Sequence, residues 1–272
     1  MRCPARAMMG AALIVALAGA MAPTPAPAQA AAIDCAKVKP FNEGWPINIG
    51  LLATALREYH QCRYDADVKA VLDAARAFVV EEAPGVAKAA VVLDIDETSL
   101  SNWALIDHND FAYVGSGACD LRSSFACGQQ EWEHSARATA IAPTLELFNA
   151  LKALKDRDGN PVAVFFVTGR HDDPFERTAT EYNLRRAGYD GWTALFMRPD
   201  HPPGEPVSVY KTATRALIED GKDYGYRIIA NIGDQISDLE GGHATRCFKV
   251  PNPFYYIPGE VDPHTPLDCL RP

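Results

Sequence analysis

The run Ala89-Ala90-Val91-Val92-Leu93 contains no polar residue. It therefore does not fit a strand with one wet face, which needs alternation. Strands covered on both faces read as unbroken apolar runs. Three further segments repeat the theme: Val162–Val167, entered through the turn Gly159-Asn160-Pro161, then Thr193–Met197, then Tyr226–Ile232. Helix-like stretches separate them. Pro143–Lys155 carries Leu147, Leu151 and Leu154 on one face, Pro174–Ala187 follows, and Lys211–Asp220 is stopped by Gly221. Strands alternating with helices of this length predict βαβ units and a doubly wound, Rossmann-like parallel α/β sheet.

Two regions fall outside that alternation. Pro46–Val80 reads as helical, with Asp65 as a cap and Val68, Val71, Leu72, Ala75, Phe78 and Val79 at one-face spacing. Residues 99–142 are rich in Asp, Gly, Ser and aromatics, and are read as a small cap inserted over the carboxyl edge of the sheet, where open α/β sheets bind ligands. Within it Trp103, Phe111, Tyr113, Phe125 and Trp132 are candidates to stack on an aromatic leaving group, although a role as the insertion's own core is the better expectation.

The N-terminus has the layout of a secretory signal peptide. Arg2 and Arg6 precede an apolar run from Met8 to Ala22, and Ala28-Gln29-Ala30 supplies small residues at cleavage spacing. That run is shorter than the ~20 residues a spanning helix needs, and Cys35 follows Ile33-Asp34 where lipid attachment would need small residues. The expectation is a leader over residues 1–30, a single domain over residues 31–272, periplasmic or secreted location and no stable membrane anchor. Loss of the two leader arginines takes the formal net charge from −9 to −11. So acidic a surface disfavours nucleic acid as the partner, and leaves a homo-oligomer open. With Cys3 removed six cysteines remain, an even count that favours disulfides in an exported chain. Sequential pairing is favoured: Cys35–Cys62, Cys119–Cys127 and Cys247–Cys269. A zinc site would call for CxxC, HxH or HExxH spacing, which the sequence lacks.

Chemistry concentrates directly after the apolar strands. Asp94-Ile95-Asp96-Glu97-Thr98 places two carboxylates at i and i+2 beyond a strand end, suited to metal binding or to a nucleophile beside an acid/base. An EF-hand loop also begins D-x-D, but needs glycine at its sixth position and glutamate at its twelfth, where this chain has Ser99 and Leu105. Thr168-Gly169-Arg170 ends the second strand, and its hydroxyl and amides could hold a phosphate oxygen. A histidine-phosphatase motif at Arg170-His171 fails because Asp172 and Pro174 stand where glycine and arginine are needed. Lys211 lies near the expected start of a helix, and alone would read as a solvated surface residue. Gly233-Asp234-Gln235-Ile236-Ser237-Asp238 follows the last strand, with oxygen ligands suited to magnesium.

In order, D-x-D-x-T, T-G-R, Lys and G-D-x-x-x-D resemble the haloacid-dehalogenase-like superfamily of aspartate-based phosphatases. More narrowly the chain is similar to the class B-like acid phosphatases and vegetative storage proteins. Supporting residues are Arg177–Leu184 with Gly188-Tyr189, then Gly233-Asp234-Gln235 and Phe248–Pro253. The resemblance spans about Ala89 to Pro258, and implies a catalytic core over residues 89–98 and 143–258 with the cap at residues 99–142 between them. It further implies a phosphoric monoester hydrolase acting on small phosphomonoesters, nucleoside 5′-monophosphates among them, through an aspartyl-phosphate. Asp94 is then the nucleophile and Asp96 the acid/base. Thr168, Gly169 and Lys211 hold phosphate oxygens. One Mg2+ is held by Asp94, Asp96 through its carbonyl, and Asp234, while Asp238 either binds it or orients its waters. Alternatives are a phosphotransferase, with an alcohol replacing water, and a non-catalytic storage or binding protein. Retention of Asp94, Asp96, Lys211 and Asp234 speaks against the latter.

Overall fold

The computed structural model describes residues 48–257. The predicted leader, Cys35 and Cys269 lie outside the described residues. In chain order the elements begin with α1 (Ile49–Tyr59), a π-helical turn (His60–Tyr64) and α2 (Asp65–Glu82). Then come β1 (Ala89–Leu93), β2 (Leu100–Ser101), α3 (Trp103–His108), α4 (Gln129–His134), β3 (Thr139–Ala140) and α5 (Ala142–Ala153). The chain continues through β4 (Ala163–His171), α6 (Pro174–Arg186), β5 (Ala194–Arg198), α7 (Val207–Glu219), β6 (Arg227–Gly233), α8 (Ile236–Leu239) and β7 (Arg246–Lys249).

Five strands form one parallel sheet in the order β5-β4-β1-β6-β7. All five residues of β1 are buried, and the run divides between two cores. Ala89, Val91 and Leu93 join Leu72, Leu147, Phe148, Leu151 and Phe166 on one side. Ala90 and Val92 join Phe165, Val167, Ile218 and Ile228 on the other. This two-sided cover, α2 and α5 over one face and α7 over the other, is why β1 carries no polar residue. The chain adds β4 and β5 outward on one side of β1, then returns to place β6 and β7 on the other. The carboxyl ends of β4, β1 and β6 thus flank the point where the winding reverses, the ligand crevice of open α/β sheets.

Several boundaries differ from the sequence-based expectations. Asp65 is no cap: Tyr64 and Asp65 both have helical backbone angles, so the chain runs from the π turn into α2 without a break, and a capping residue needs non-helical angles. The helix carrying Lys211 begins at Val207, which moves Lys211 from a helix end into its second turn. Arg246–Lys249 was not expected as a strand. It is a short edge strand whose ends are charged, and edges are where such composition is tolerated.

Over residues 99–142 the inserted segment leaves the sheet after β1 and returns at α5. Antiparallel pairing of β2 with β3 closes its neck, and a Cys119–Cys127 disulfide, Cα atoms 4.2 Å apart, ties its middle. Cys62 and Cys247 are also disulfide-bonded, while their expected partners, Cys35 and Cys269, are outside the described residues. Among the described residues no helix is long and apolar enough to cross a membrane.

Candidate active site

Asp94 is the first residue past β1. Its amide donates to the Ile232 carbonyl of β6 at 3.0 Å, and its carbonyl accepts the Ser99 hydroxyl at 2.6 Å. Next, Ile95–Leu100 folds into a tight turn in which the Ile95 carbonyl faces the amides of Thr98, Ser99 and Leu100 and Glu97 adopts φ +56°. Asp94 and Asp96, on either side of the start of that turn, both line one cavity of about 780 Å³.

Across the winding reversal, β6 delivers Asp234 and α8 delivers Asp238. A Cβ at Gly233 would collide with the Asp238 side chain, so only glycine lets α8 fold back this tightly. Asp238 in turn caps its own helix by accepting the Gln235 amide at 2.8 Å. The outcome is a buried triad: carboxylate oxygens of Asp94, Asp234 and Asp238 lie within 4.8 Å of one another. Lys211 reaches into this cluster from α7. It is 6 % exposed, donates to Asp94 Oδ1 at 2.8 Å and pairs at close range with Asp238. A buried lysine among carboxylates is a counter-ion rather than a surface residue.

Charge crowding perturbs each group. Burial, then the Asp238 charge, pushes Asp94 well above the carboxylate range despite Lys211. Burial and Asp238 raise Asp234 to about 6, opposed by hydrogen bonds from Asn252 and Gln235. For Lys211 burial favours loss of the proton, but Asp238 and Asp94 more than offset it and the ammonium is held. Asp96 goes the other way. Burial would raise it, yet the Arg170 charge and hydrogen bonds from Arg170 and Asn102 outweigh that and keep it below its ordinary range.

Of the remaining predicted residues, Gly169 lines the cavity beside Arg170. Thr168 is fully buried, does not line the cavity, and uses its hydroxyl oxygen to accept the Arg170 amide at 3.2 Å. The Asp96 side chain stands apart from the carboxylate triad, turned toward Arg170 and Asn102. Among the aromatics considered for stacking, Phe111 and Tyr113 line the cavity. Trp132 is buried at 3 % exposure, Trp103 stacks on His60 with ring centroids 3.7 Å apart, and Phe125 is exposed away from the cavity.

Sequence reasoning missed three contributors. Arg170 is 5 % exposed and grips both Asp96 oxygens, Nε at 3.0 Å and a terminal nitrogen at 2.6 Å. Asn252 donates to Asp234 at 2.8 Å. Arg215, 1 % exposed, donates to the carbonyls of Asp238 at 2.6 Å and Gly242 at 3.1 Å and holds the α8 loop. Its spacing of four from Lys211 was the available signal, because the two share a helix face.

The sequence profile described as HAD superfamily, subfamily IIIB (acid phosphatase), matches residues 42–258, which spans all of the described residues. The chain belongs to this acid phosphatase family. The crevice just described brings together Asp94, Asp96, Lys211 and Asp234, residues singled out in the sequence. Among its relatives is the stem 28 kDa glycoprotein of Glycine max, 36 % identical over 208 residues, covering 75 % of this chain and 74 % of that protein. Acid phosphatase 1 of Solanum lycopersicum is 34 % identical over 168 residues, covering 61 % and 58 %. A class C acid phosphatase from Bacillus anthracis, solved with tungstate bound, superposes with a TM-score of 0.51 at 19 % identity, over 75 % of this chain and 84 % of its own. That likeness shows a shared α/β fold.

Proposed function

We propose that this acid phosphatase is an exported, magnesium-dependent phosphomonoesterase in which Asp94 is the nucleophile and Asp96 the leaving-group acid. The observation that carries the reading is the buried Asp94/Asp234/Asp238 triad with Lys211 inserted, of which Asp94, Asp234 and Lys211 line a cavity of about 780 Å³. Its donors are all carboxylate oxygens, the ligand chemistry of Mg2+ rather than of zinc. Asp94, Asp234 and the Asp96 carbonyl would hold the ion. Asp238 already gives one oxygen to Lys211 and the other to the Gln235 amide, which favours a role in orienting Lys211. When bound, the metal supplies positive charge that lowers the repulsion between a carboxylate and a phosphate dianion.

The chain's own groups account for the rest. Lys211 has three N–H donors and spends two on Asp94 and Asp238, leaving one for a phosphoryl oxygen. Gly169 stands at the cavity wall, and the buried Thr168 hydroxyl accepts the Arg170 amide and so steadies that wall. An Asp94 oxygen attacks phosphorus as the ester oxygen leaves with the Asp96 proton. Asp96, then ionised, takes a proton from the water that cleaves the aspartyl-phosphate. Arg170 favours that ionised form. Phe111 and Tyr113 line the same cavity as Gln129, Gln130 and Glu133, which suits a leaving group with both apolar and hydroxylated surface.

The test is phosphate release from nucleotide, sugar-phosphate and aryl-phosphate panels, with Mg2+ and with EDTA. Activity should vanish in EDTA and return with Mg2+. Full turnover without metal would overturn the mechanism, and an inert chain under all conditions would favour the storage reading.

A further inference from the structure

Asn102 is 2 % exposed, and every hydrogen-bonding atom of its side chain is engaged. Nδ2 donates to Asp96 Oδ1 at 2.8 Å and to Glu97 Oε2 at 3.2 Å, while Oδ1 accepts from Trp132 Nε1 at 2.8 Å. The backbone amide of Asn102 donates to Glu97 Oε1 at 2.6 Å, so the main chain is held as well. The two ends of an amide group differ only in their hydrogen-bonding sense, so their partners decide which way it points. An indole N–H can only donate. Trp132 on one side and the accepting oxygens of Asp96 and Glu97 on the other therefore hold the Asn102 oxygen toward the indole and the NH2 group toward Asp96. Trp132 belongs to α4 of the inserted segment, and Asp96 to the turn after β1.

This arrangement also distinguishes the two oxygens of Asp96. Oδ1 receives Arg170 at 2.6 Å and Asn102 at 2.8 Å, which uses both of its in-plane lone pairs. Oδ2 receives only the Arg170 Nε at 3.0 Å and keeps one lone pair open. We propose that Asn102, its amide oriented by Trp132, is a positioning residue that saturates Asp96 Oδ1 and leaves Oδ2 as the oxygen that carries the proton to the leaving group. The proposal rests on the reading of Asp96 as leaving-group acid. In the first half-reaction a bond forms from Asp94 to phosphorus. The phosphorus–ester bond breaks, its electron pair goes to the ester oxygen, and that oxygen takes the proton from Oδ2. In the second, Oδ2 takes a proton from water as the water oxygen bonds to phosphorus and the Asp94 carboxylate departs. Without the Asn102 donor, Oδ1 offers a second place for the proton and the carboxyl can turn about its own broad torsion.

Single-turnover phosphorylation by an alkyl phosphate and by nitrophenyl phosphate should be compared in the wild type, Asp96→Asn, Asn102→Leu and Trp132→Phe. Alkoxide departure needs the proton and nitrophenolate does not. Asp96→Asn should lose most of the ~10²–10⁴-fold contribution of a general acid with the alkyl substrate and far less with the aryl one. Asn102→Leu should show the same split at about tenfold, a part of that contribution. Trp132→Phe keeps a ring in the core but leaves the Asn102 oxygen without its donor, which loosens the amide, and should show a smaller split in the same direction. A purely structural role would slow both substrates alike. Equal slowing in Asn102→Leu and Trp132→Phe, with the split retained in Asp96→Asn, overturns the positioning role alone. Absence of a split in Asp96→Asn overturns the assignment of Asp96 and this proposal with it. If Asn102→Leu does not fold, Trp132→Phe alone decides.

Discussion

Replacing Lys211 by Met removes the one ammonium inside a cluster of three buried carboxylates while keeping most of the apolar stem. Side-chain exposure is 7 % for Lys211, 8 % for Asp94 and 3 % for Asp238. At the 2.8 Å separation from Asp94, one charge pair is worth about 6 kcal/mol at an effective dielectric of about 20, before desolvation is subtracted. Removing one partner of a buried pair typically costs about 3–5 kcal/mol, because the stranded charge cannot be rehydrated. For a domain of this size each kcal/mol shifts Tm by about 2–4 °C, so metal-free Lys211→Met should melt roughly 10 °C below the wild type near pH 7.5. Thermal denaturation followed by circular dichroism in EDTA is the assay. Adding Asp238→Asn removes one stranded charge, so the double variant should melt above Lys211→Met, although Asp238→Asn alone melts below the wild type. If the second substitution lowers Tm further in the Lys211→Met background, the counter-ion reasoning is wrong.

Two carboxyl groups beside Arg170 make stability depend on pH. Burial, opposed by the Arg170 charge, raises Glu176 from 4.5 to about 7, and the same causes raise Glu133 to about 7. Between those values the folded protein holds protons that the unfolded chain has released, so stability should rise as pH falls from 7 toward 4.5. Glu176→Gln should flatten that slope of Tm against pH, and an unchanged slope would contradict it. Arg170→Met removes the charge that holds Asp96 low, so the fall of kcat/KM for an alkyl phosphate with rising pH should move to higher pH. A profile that stays put would show that Asp96 does not govern that limb. Non-reducing peptide mapping should recover Cys119 and Cys127 on one linked peptide, and free thiols at both would contradict the inserted segment's staple.

The fold was legible because β1, β4 and β6 are buried through most of their length and carry apolar runs, with β5 a shorter apolar strand at the edge. β7 was not, since Arg246 and Lys249 at its ends erase that signal at an edge. Asp94 and Asp234, which directly follow β1 and β6, and Thr168, which lies within β4 after its apolar stretch, were readable from their place after an apolar run. Lys211 was readable only as a matching lysine, because a helix that starts at Val207 instead of Lys211 is what turns it inward. Arg170, Asn102 and Arg215 could not be assigned from spacing, since what each does depends on a partner 74, 6 and 23 residues away. The orientation of Asn102 needs a third residue, Trp132, contributed by a segment without regular periodicity. Thr168 shows the converse, a motif residue whose hydroxyl the fold has partly committed to the turn it begins.

Covalent catalysis by Asp94 is tested most directly by trapping the intermediate. Asp96→Asn should still be phosphorylated by nitrophenyl phosphate but dephosphorylate slowly, for want of a base to activate water. Rapid acid quench followed by mass spectrometry of the peptides should then find one added phosphoryl group on the peptide carrying Asp94, and none after Asp94→Asn. A nitrophenol burst with no phosphoryl group on that peptide, or with one on a different residue, would contradict the account.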